Sequence, residues 1–286
     1  MILLAESGAT RSKWALIDIH QTTISIALEG FNPSYHPKER LTGIIQEVLA
    51  LIPQAAKVKS VCYYGAGCSG SQRALDVRQL LASFFTHAEV AVHGDLLASA
   101  RGLFGNSPGI ALILGTGSNA GIFDGQNLIS TVPSLGYMIG DEGSGSHIGR
   151  LLVREFMMNR MPSGLSGKFE AFSGHSTETL IEAIYSHPSP GNFLASLAPF
   201  LSEVAPRSYA DQIVSRSFNA FFNEMVSNLG PITALMKLPM AAVGSVAYHF
   251  SEILRQTAEQ YGFKLGRIVE SPFEGLIDYH RLSLSE

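Results

Sequence analysis

Five short segments of this chain carry residue types at spacings that do chemistry. The first is ESGATRS, Glu6 to Ser12. A tight turn of small side chains leaves backbone N–H groups open to an anion. Thr10 and Ser12 add hydroxyl donors, so the segment suits a phosphate held in a backbone nest. Glu6 stands where a carboxylate can hold hydrated Mg²⁺, a cation that keeps waters and takes one or two carboxylates. The same residues also make an ordinary hairpin turn. The segment is not a Walker A motif, because it lacks Gly-Lys-Ser/Thr and no helix follows. The second is LGTGSN, Leu114 to Asn119. Gly115 and Gly117 permit close backbone approach, and Thr116, Ser118 and Asn119 offer donors.

The third segment is GDLLASA, where Asp95 ends a strand and opens a helix. Asp is a favoured N-cap. A carboxylate at the C-terminal edge of an open α/β sheet also lies where ligands bind, and there it can take a proton from a hydroxyl. The fourth is PSLGYMIGDEGSGSHIGR, Pro133 to Arg150. Asp141 and Glu142 precede a helix and can cap it, matching its dipole. The glycine density exceeds what capping needs, and a carboxylate beside such a loop can accept hydrogen bonds from a polyol. The fifth is AAVGSVAYHF, where Gly244 and Ser245 join a strand to a helix. It is a tight connection and also a place for a nucleotide to lie against backbone. Cys62 and Cys68 are not at usual metal-ligand spacing. His93, His147 and His249 read as structural or peripheral, and Trp14 as core.

These segments need elements to hold them. Met1–Ala5, Trp14–Ile17 and Thr22–Leu28 read as three antiparallel strands. Leu41, Ile44, Ile45, Val48, Leu49 and Ile52 lie at helical spacing before Pro53. Strand, helix, strand and helix follow, giving β-β-β-α-β-α-β-α. The pattern then restarts at Gly109, and Gly115–Ser118 falls near Ser7–Thr10 when the halves are overlaid. A helix over Gly149–Met161 comes next, then a loop over Pro162–Gly174. A helical stretch over Thr177–Leu229, broken at Pro188, Pro190 and Pro206, leads to strand Met240–Val243, a helix, a last strand and a C-terminal helix.

Composition narrows the class. The chain has 286 residues, so about two domains are expected. Twenty Lys and Arg against 24 Asp and Glu leave a net charge of −4. Without basic runs, this excludes binding that rests on phosphate neutralisation of nucleic acid or on an anionic membrane surface. Hydrophobic residues are 46% and charged residues 15%, which excludes disorder. Two cysteines exclude a disulfide scaffold and fit a reducing compartment. No membrane-length apolar run and no signal-like N-terminus are read, so a cytoplasmic protein is expected.

In order and spacing the five segments resemble the sugar kinases of the actin and hexokinase superfamily. The nearest likeness is to the N-acetylglucosamine kinase branch grouped with the BadF/BadG/BcrA/BcrD ATPases. GTGSN followed by GDEGS about 25 residues later is the specific part. The resemblance covers nearly the whole chain. It implies an α/β fold of two RNase H-like domains with an interdomain cleft, divided as residues 1–108 and 109–286, the final helix packing back on the first. It implies ATP and Mg²⁺ as cofactors, and phosphorylation of an amino sugar, foremost N-acetylglucosamine at its 6-hydroxyl. Carried over by residue, Asp95 is the catalytic base. Glu6, Gly8, Thr10, Gly115, Thr116, Gly117, Gly244 and Ser245 bind ATP, with Glu6 reaching Mg²⁺ through water. Asn32, Asp95, Ser118, Asn119, Ser134, Leu135, Gly136 and Asp141 bind the sugar. The partners are then an amino sugar and ATP, with a homodimer as the commonest assembly. Glu6 replaces the family's Asp, and Ala9 stands where a glycine with positive φ is expected. Two rivals follow: an activator ATPase of 2-hydroxyacyl-CoA dehydratases, and a non-catalytic sugar sensor on the same fold.

Overall fold

The computed structural model describes residues 1–18, 22–69 and 71–282. The first elements are β1 (Ile2–Ser7), β2 (Arg11–Ile17), β3 (Thr22–Glu29), α1 (Lys38–Leu51), β4 (Ser60–Gly65), α2 (Ser71–Phe84), β5 (Glu89–Gly94) and α3 (Asp95–Phe104). There follow β6 (Gly109–Leu114), β7 (Ser118–Phe123), β8 (Leu128–Thr131), α4 (Gly136–Ile139), α5 (Gly145–Met157) and α6 (Leu165–Ser173). Then come α7 (Leu180–Ser186), α8 (Pro190–Ser196), α9 (Phe200–Glu203), α10 (Arg207–Glu224) and α11 (Ile232–Leu235). The chain closes with β9 (Met240–Val243), α12 (Ser245–His249), α13 (Ser251–Gln260), β10 (Leu265–Val269) and α14 (Phe273–Leu282). No helix among the described residues is long and apolar enough to cross a membrane.

The chain forms two compact units. One comprises Met1–Ser107, Gly125–Asn127 and the segment from Pro272 onward, so α14 belongs to it; the other comprises Pro108–Asp124 and Leu128–Ser271. The first sheet has the order β3-β2-β1-β4-β5, with β1 antiparallel to β2 and parallel to β4. The second has the order β10-β9-β6-β7-β8, with β6 antiparallel to β7 and parallel to β9. Read from the other edge, it repeats the first strand for strand. The recurrence of strand, Gly-hydroxyl turn and strand in the sequence is therefore a repeat of topology.

Strand β1 is apolar along nearly its whole length because helices cover both of its faces. Side chains alternate across a strand. Leu3, Ala5, Trp14, Leu16, Val61 and Tyr63 pack with Leu41, Ile44, Ile45 and Val48 of α1. Leu4, Ala15, Ile17 and Tyr64 pack with Ala98 of α3 and with Phe273, Leu276 and Ile277 of α14. The Tyr64 hydroxyl accepts from Arg101 Nη1 at 2.6 Å and bonds His280 Nε2 at 2.8 Å, tying α3 and α14 to β4. In the second unit Ile110, Leu112 and Leu114 point into one large core with helices α5 to α13.

Two expectations change. Residues 162–174 are not all loop: α6 runs from Leu165 to Ser173, bounded by Gly164 and Gly174, both left-handed. Buried Leu165 and Phe169, four residues apart, are its core stripe. The glycines that read as loop are the stops of a short helix. Helix α5 also starts earlier than expected, at Gly145, with Ser144 as N-cap accepting from the His147 N–H.

Candidate functional site

In the first unit the candidate residues collect at the C-terminal ends of β1, β4 and β5. The register pairs Ser7 with Ser12 and Gly65, and Gly65 with Gly94. One residue earlier it pairs Glu6 with Lys13 and Tyr64. The turn after β1 is closed by Gly8 N–H donating to the Arg11 carbonyl at 2.9 Å. Thr10 lies exposed at its tip. Ser12 does not: it is buried, and its hydroxyl donates to the Glu29 carbonyl at 2.6 Å, so it is no donor to a phosphate. Among the described residues only Asp141 and Asn159 are non-glycine residues with positive φ, so Ala9 fits the turn without strain.

Asn32 is buried in the loop after β3. Its Oδ1 accepts from Ser34 N–H at 2.9 Å and its Nδ2 donates to the Tyr35 hydroxyl at 3.2 Å. Gly67, at φ 77°, comes so close that a Cβ there would fall 2.3 Å from Asn32 Oδ1. That approach brings the loop after β4, with buried Cys68, against the Asn32 loop.

Asp95 is the first residue of α3, and the N-cap is Gly94. Its Oδ1 accepts the Leu96 N–H at 2.9 Å. It is therefore not the N-cap residue, although it takes one first-turn N–H of α3. Burial pushes its pKa up to about 6, against the backbone N–H groups of Leu96 and Asp95 itself. Burial pushes Glu6 up to about 7; the Asp95 charge adds to this and Lys13 opposes it. The Asp95 charge thus favours the protonated form of Glu6. Cys68 is pushed up to about 12 by burial and by Asp95. Glu6 alone fits a water-mediated divalent cation, whose charge would offset the repulsion from Asp95. No group of three or more His, Cys, Asp or Glu gathers for a metal among the described residues. A lone carboxylate is the kind of donor that Mg²⁺ takes when it completes its shell with water and phosphate oxygens.

In the second unit the β6–β7 turn is closed by Gly115 N–H donating to the Gly117 carbonyl at 3.0 Å. Gly145 and Ser146, at the start of α5, donate to the carbonyls of Gly115 and Thr116 at 2.8 and 3.1 Å. These contacts satisfy the turn's carbonyls and orient it. Thr116 is exposed at the tip. A Cβ on Gly115 would meet no protein atom within 4 Å, so packing within the chain does not require glycine there. Gly244, at φ 117°, packs onto this turn: a Cβ would fall 2.3 Å from the Leu114 carbonyl oxygen. Gly244 and Gly115 thus meet, with Ser245 exposed at the start of α12.

Asp141 is not a cap, since Ser144 caps α5. It sits at φ 59°, and its Oδ1 accepts the Ser118 N–H at 3.4 Å. Its carboxylate lies 3.1 Å from where a Gly117 Cβ would be. Burial raises its pKa, with the Ser118 N–H and Arg150 opposing. Ser118 is buried and its hydroxyl donates to the Glu142 carbonyl at 2.7 Å, so its expected place as a sugar donor gives way to a structural one. Asn119 Oδ1 accepts the Ala120 N–H at 2.8 Å. Ser134 and Leu135 are exposed, and Gly136 opens α4 at φ 73°. Leu135 packs at Gly140, next to Asp141. His147, read from sequence as structural or peripheral, lies within this loop's hydrogen bonding, as does Arg150. Their spacing of three on one helix is the signal that could have shown them together.

No family model matches the chain, and no curated protein matches it. Solved structures do. A Porphyromonas gingivalis protein provisionally assigned as an N-acetylglucosamine kinase is 36% identical over 99% of both chains, with a TM-score of 0.90. A Chromobacterium violaceum protein of the same provisional assignment is 18% identical over 97% of this chain and 98% of its own, TM-score 0.71. A ROK-family glucokinase from Streptomyces griseus, solved with glucose and AMPPNP, is 15% identical over 98% of both, TM-score 0.59. At their identities the last two show the fold alone.

Proposed function

The chain belongs to the sugar-kinase family of its Porphyromonas gingivalis relative, on the actin-like ATPase fold, and from that premise we propose that it phosphorylates N-acetylglucosamine at the 6-hydroxyl, using ATP. One observation carries the chemistry: Asp95 sits at the junction of β5 and α3, partly buried, and burial pushes its pKa up to about 6. A base with such a pKa is ionised at neutral pH yet basic enough to take the proton of a sugar hydroxyl as the P–O bond forms.

Phosphoryl transfer rests on positioning and charge stabilisation more than on covalent help. Thr10 and the backbone of the first turn hold phosphate oxygens, as do Gly115, Thr116 and Gly117 of the second. Gly244 and Ser245 border the adenosine. Mg²⁺, when bound, neutralises charge on the phosphates, and Glu6 holds it through water. Asn32, with Leu135, Gly136 and Asp141, binds the sugar.

Two features weigh against the rivals. Cys62 packs on the α3–α14 side of the first sheet and Cys68 on the α1–α2 side, so they share no surface for a cluster. Of the two residues that hint at a sensor, Glu6 and Ala9, the unstrained Ala9 gives no sign of a degenerate phosphate turn. The test is ADP release with ATP and a panel of N-acetylglucosamine, glucosamine, N-acetylmannosamine, N-acetylmuramic acid and glucose. The highest kcat/KM is expected with N-acetylglucosamine. Faster turnover of another sugar overturns the substrate, and sugar binding without ADP release restores the sensor.

A further inference from the structure

We propose that His147, backed by Ser217, is a positioning residue that holds the turn at 141–145 and so aims the Asp141 carboxylate for sugar. The inference rests on the reading of Asp141 as a sugar ligand. Asp141 is held in a left-handed conformation that an L-residue keeps only when its surroundings impose it. The imposing contacts come from both sides. Ahead of Asp141, Arg150 donates from Nη1 to the Met138 carbonyl and from Nη2 to the Gly140 carbonyl, each at 2.9 Å. Behind it, Gly143 N–H donates to His147 Nδ1 at 3.2 Å. Across the turn, Ser144 N–H donates to the Asp141 carbonyl at 3.1 Å.

The hydrogen-bond chemistry at His147 fixes its tautomer. A backbone N–H can only donate, so Nδ1 carries no proton. The Ser217 hydroxyl, 2.8 Å from the same Nδ1, must then be the donor. Both share one lone pair, and the ring proton sits on Nε2. Ser217 is fully buried on α10. One turn further along α10, Phe221 would lie 2.7 Å from a Gly143 Cβ, so one helix meets the turn twice. Burial, with Arg150 and Arg216 adding to it, pushes the His147 pKa down to about 4 and keeps the acceptor available at working pH. The ring's link to the Asp141 turn is its hydrogen bond with Gly143 N–H.

Sugar binding by calorimetry and steady-state kinetics test this on the full chain. His147→Ala should weaken sugar binding about tenfold, the loss expected when one buried hydrogen bond is left unmade. His147→Asn, whose amide oxygen can stand in for Nδ1, should come back to within about threefold by the same reasoning. Added to Asp141→Asn, His147→Ala should cost little more, since both act through one carboxylate. If His147→Ala does not fold, Ser217→Ala removes only the donor and should weaken sugar binding in the same direction. Unchanged sugar affinity in His147→Ala or Ser217→Ala, or equal affinities for the Ala and Asn variants at His147, overturns the inference. Asp141→Asn alone, if sugar affinity stays unchanged, overturns instead the reading of Asp141 beneath it.

Discussion

At the scale of single residues, what matters is which polar atoms remain open to a ligand. Ser12 and Ser118 look equivalent to Thr10 and Thr116 in sequence. The fold buries the two serines against the Glu29 and Glu142 carbonyls and leaves the two threonines exposed. Asp95 differs from an N-cap residue in position: Gly94 is the N-cap, and the Asp95 carboxylate takes the Leu96 N–H at Oδ1. Asp95→Asn keeps the size and the Leu96 hydrogen bond but cannot take a proton. Turnover should fall by about 10²–10⁴-fold with ATP binding nearly intact. In the wild type, kcat/KM should rise as pH passes about 6, because a base acts only once ionised. Turnover of the variant within about threefold of wild type, in steady-state kinetics, would remove Asp95 from the mechanism.

At the scale of elements, two glycines separate packing from ligand approach. Gly244 packs its turn onto the β6–β7 turn, and its φ of 117° admits no other residue without strain. Gly244→Ala should cost about 1–3 kcal/mol from backbone strain, and more from the contact with Leu114. Gly115 has neither constraint: its φ is not positive and its Cβ would meet open space. Gly115→Ala should leave stability within about 0.5 kcal/mol, as surface substitutions do, and weaken ATP binding. Denaturant unfolding of both variants, with calorimetric ATP binding for the second, checks the pair. A strongly destabilised Gly115→Ala, or one with normal ATP affinity, would mean that the turn does not hold phosphate.

At the scale of the whole molecule, the buried carboxylate pair links stability to pH. Glu6 and Asp95 both have folded pKa values above their ordinary ones, about 7 against 4.5 and about 6 against 3.8. Between those values the folded state holds more protons than the unfolded one. Their contribution therefore falls as pH rises from about 4 to about 7. Glu6→Gln should be more stable than wild type at pH 7.5 and lose most of that advantage by pH 4.5. Chemical denaturation across that range decides it: a difference that does not change with pH would sink the idea.

By itself the sequence determined the α/β class, the strand-turn-strand units and their recurrence, and the places where backbone turns sharply. Hairpins and amphipathic periodicity are local properties, written in neighbouring residues. Tertiary structure decided which side chains serve the fold and which face a ligand. The Ser217–His147 bond spans 70 residues and the Tyr64–His280 bond 216. Asp141 takes its left-handed turn because Arg150 and His147 close on it from a helix that follows, and α6 forms between glycines that locally read as loop. A residue type states what an atom can donate or accept. Only the packed chain states whether a partner inside the protein has already claimed it.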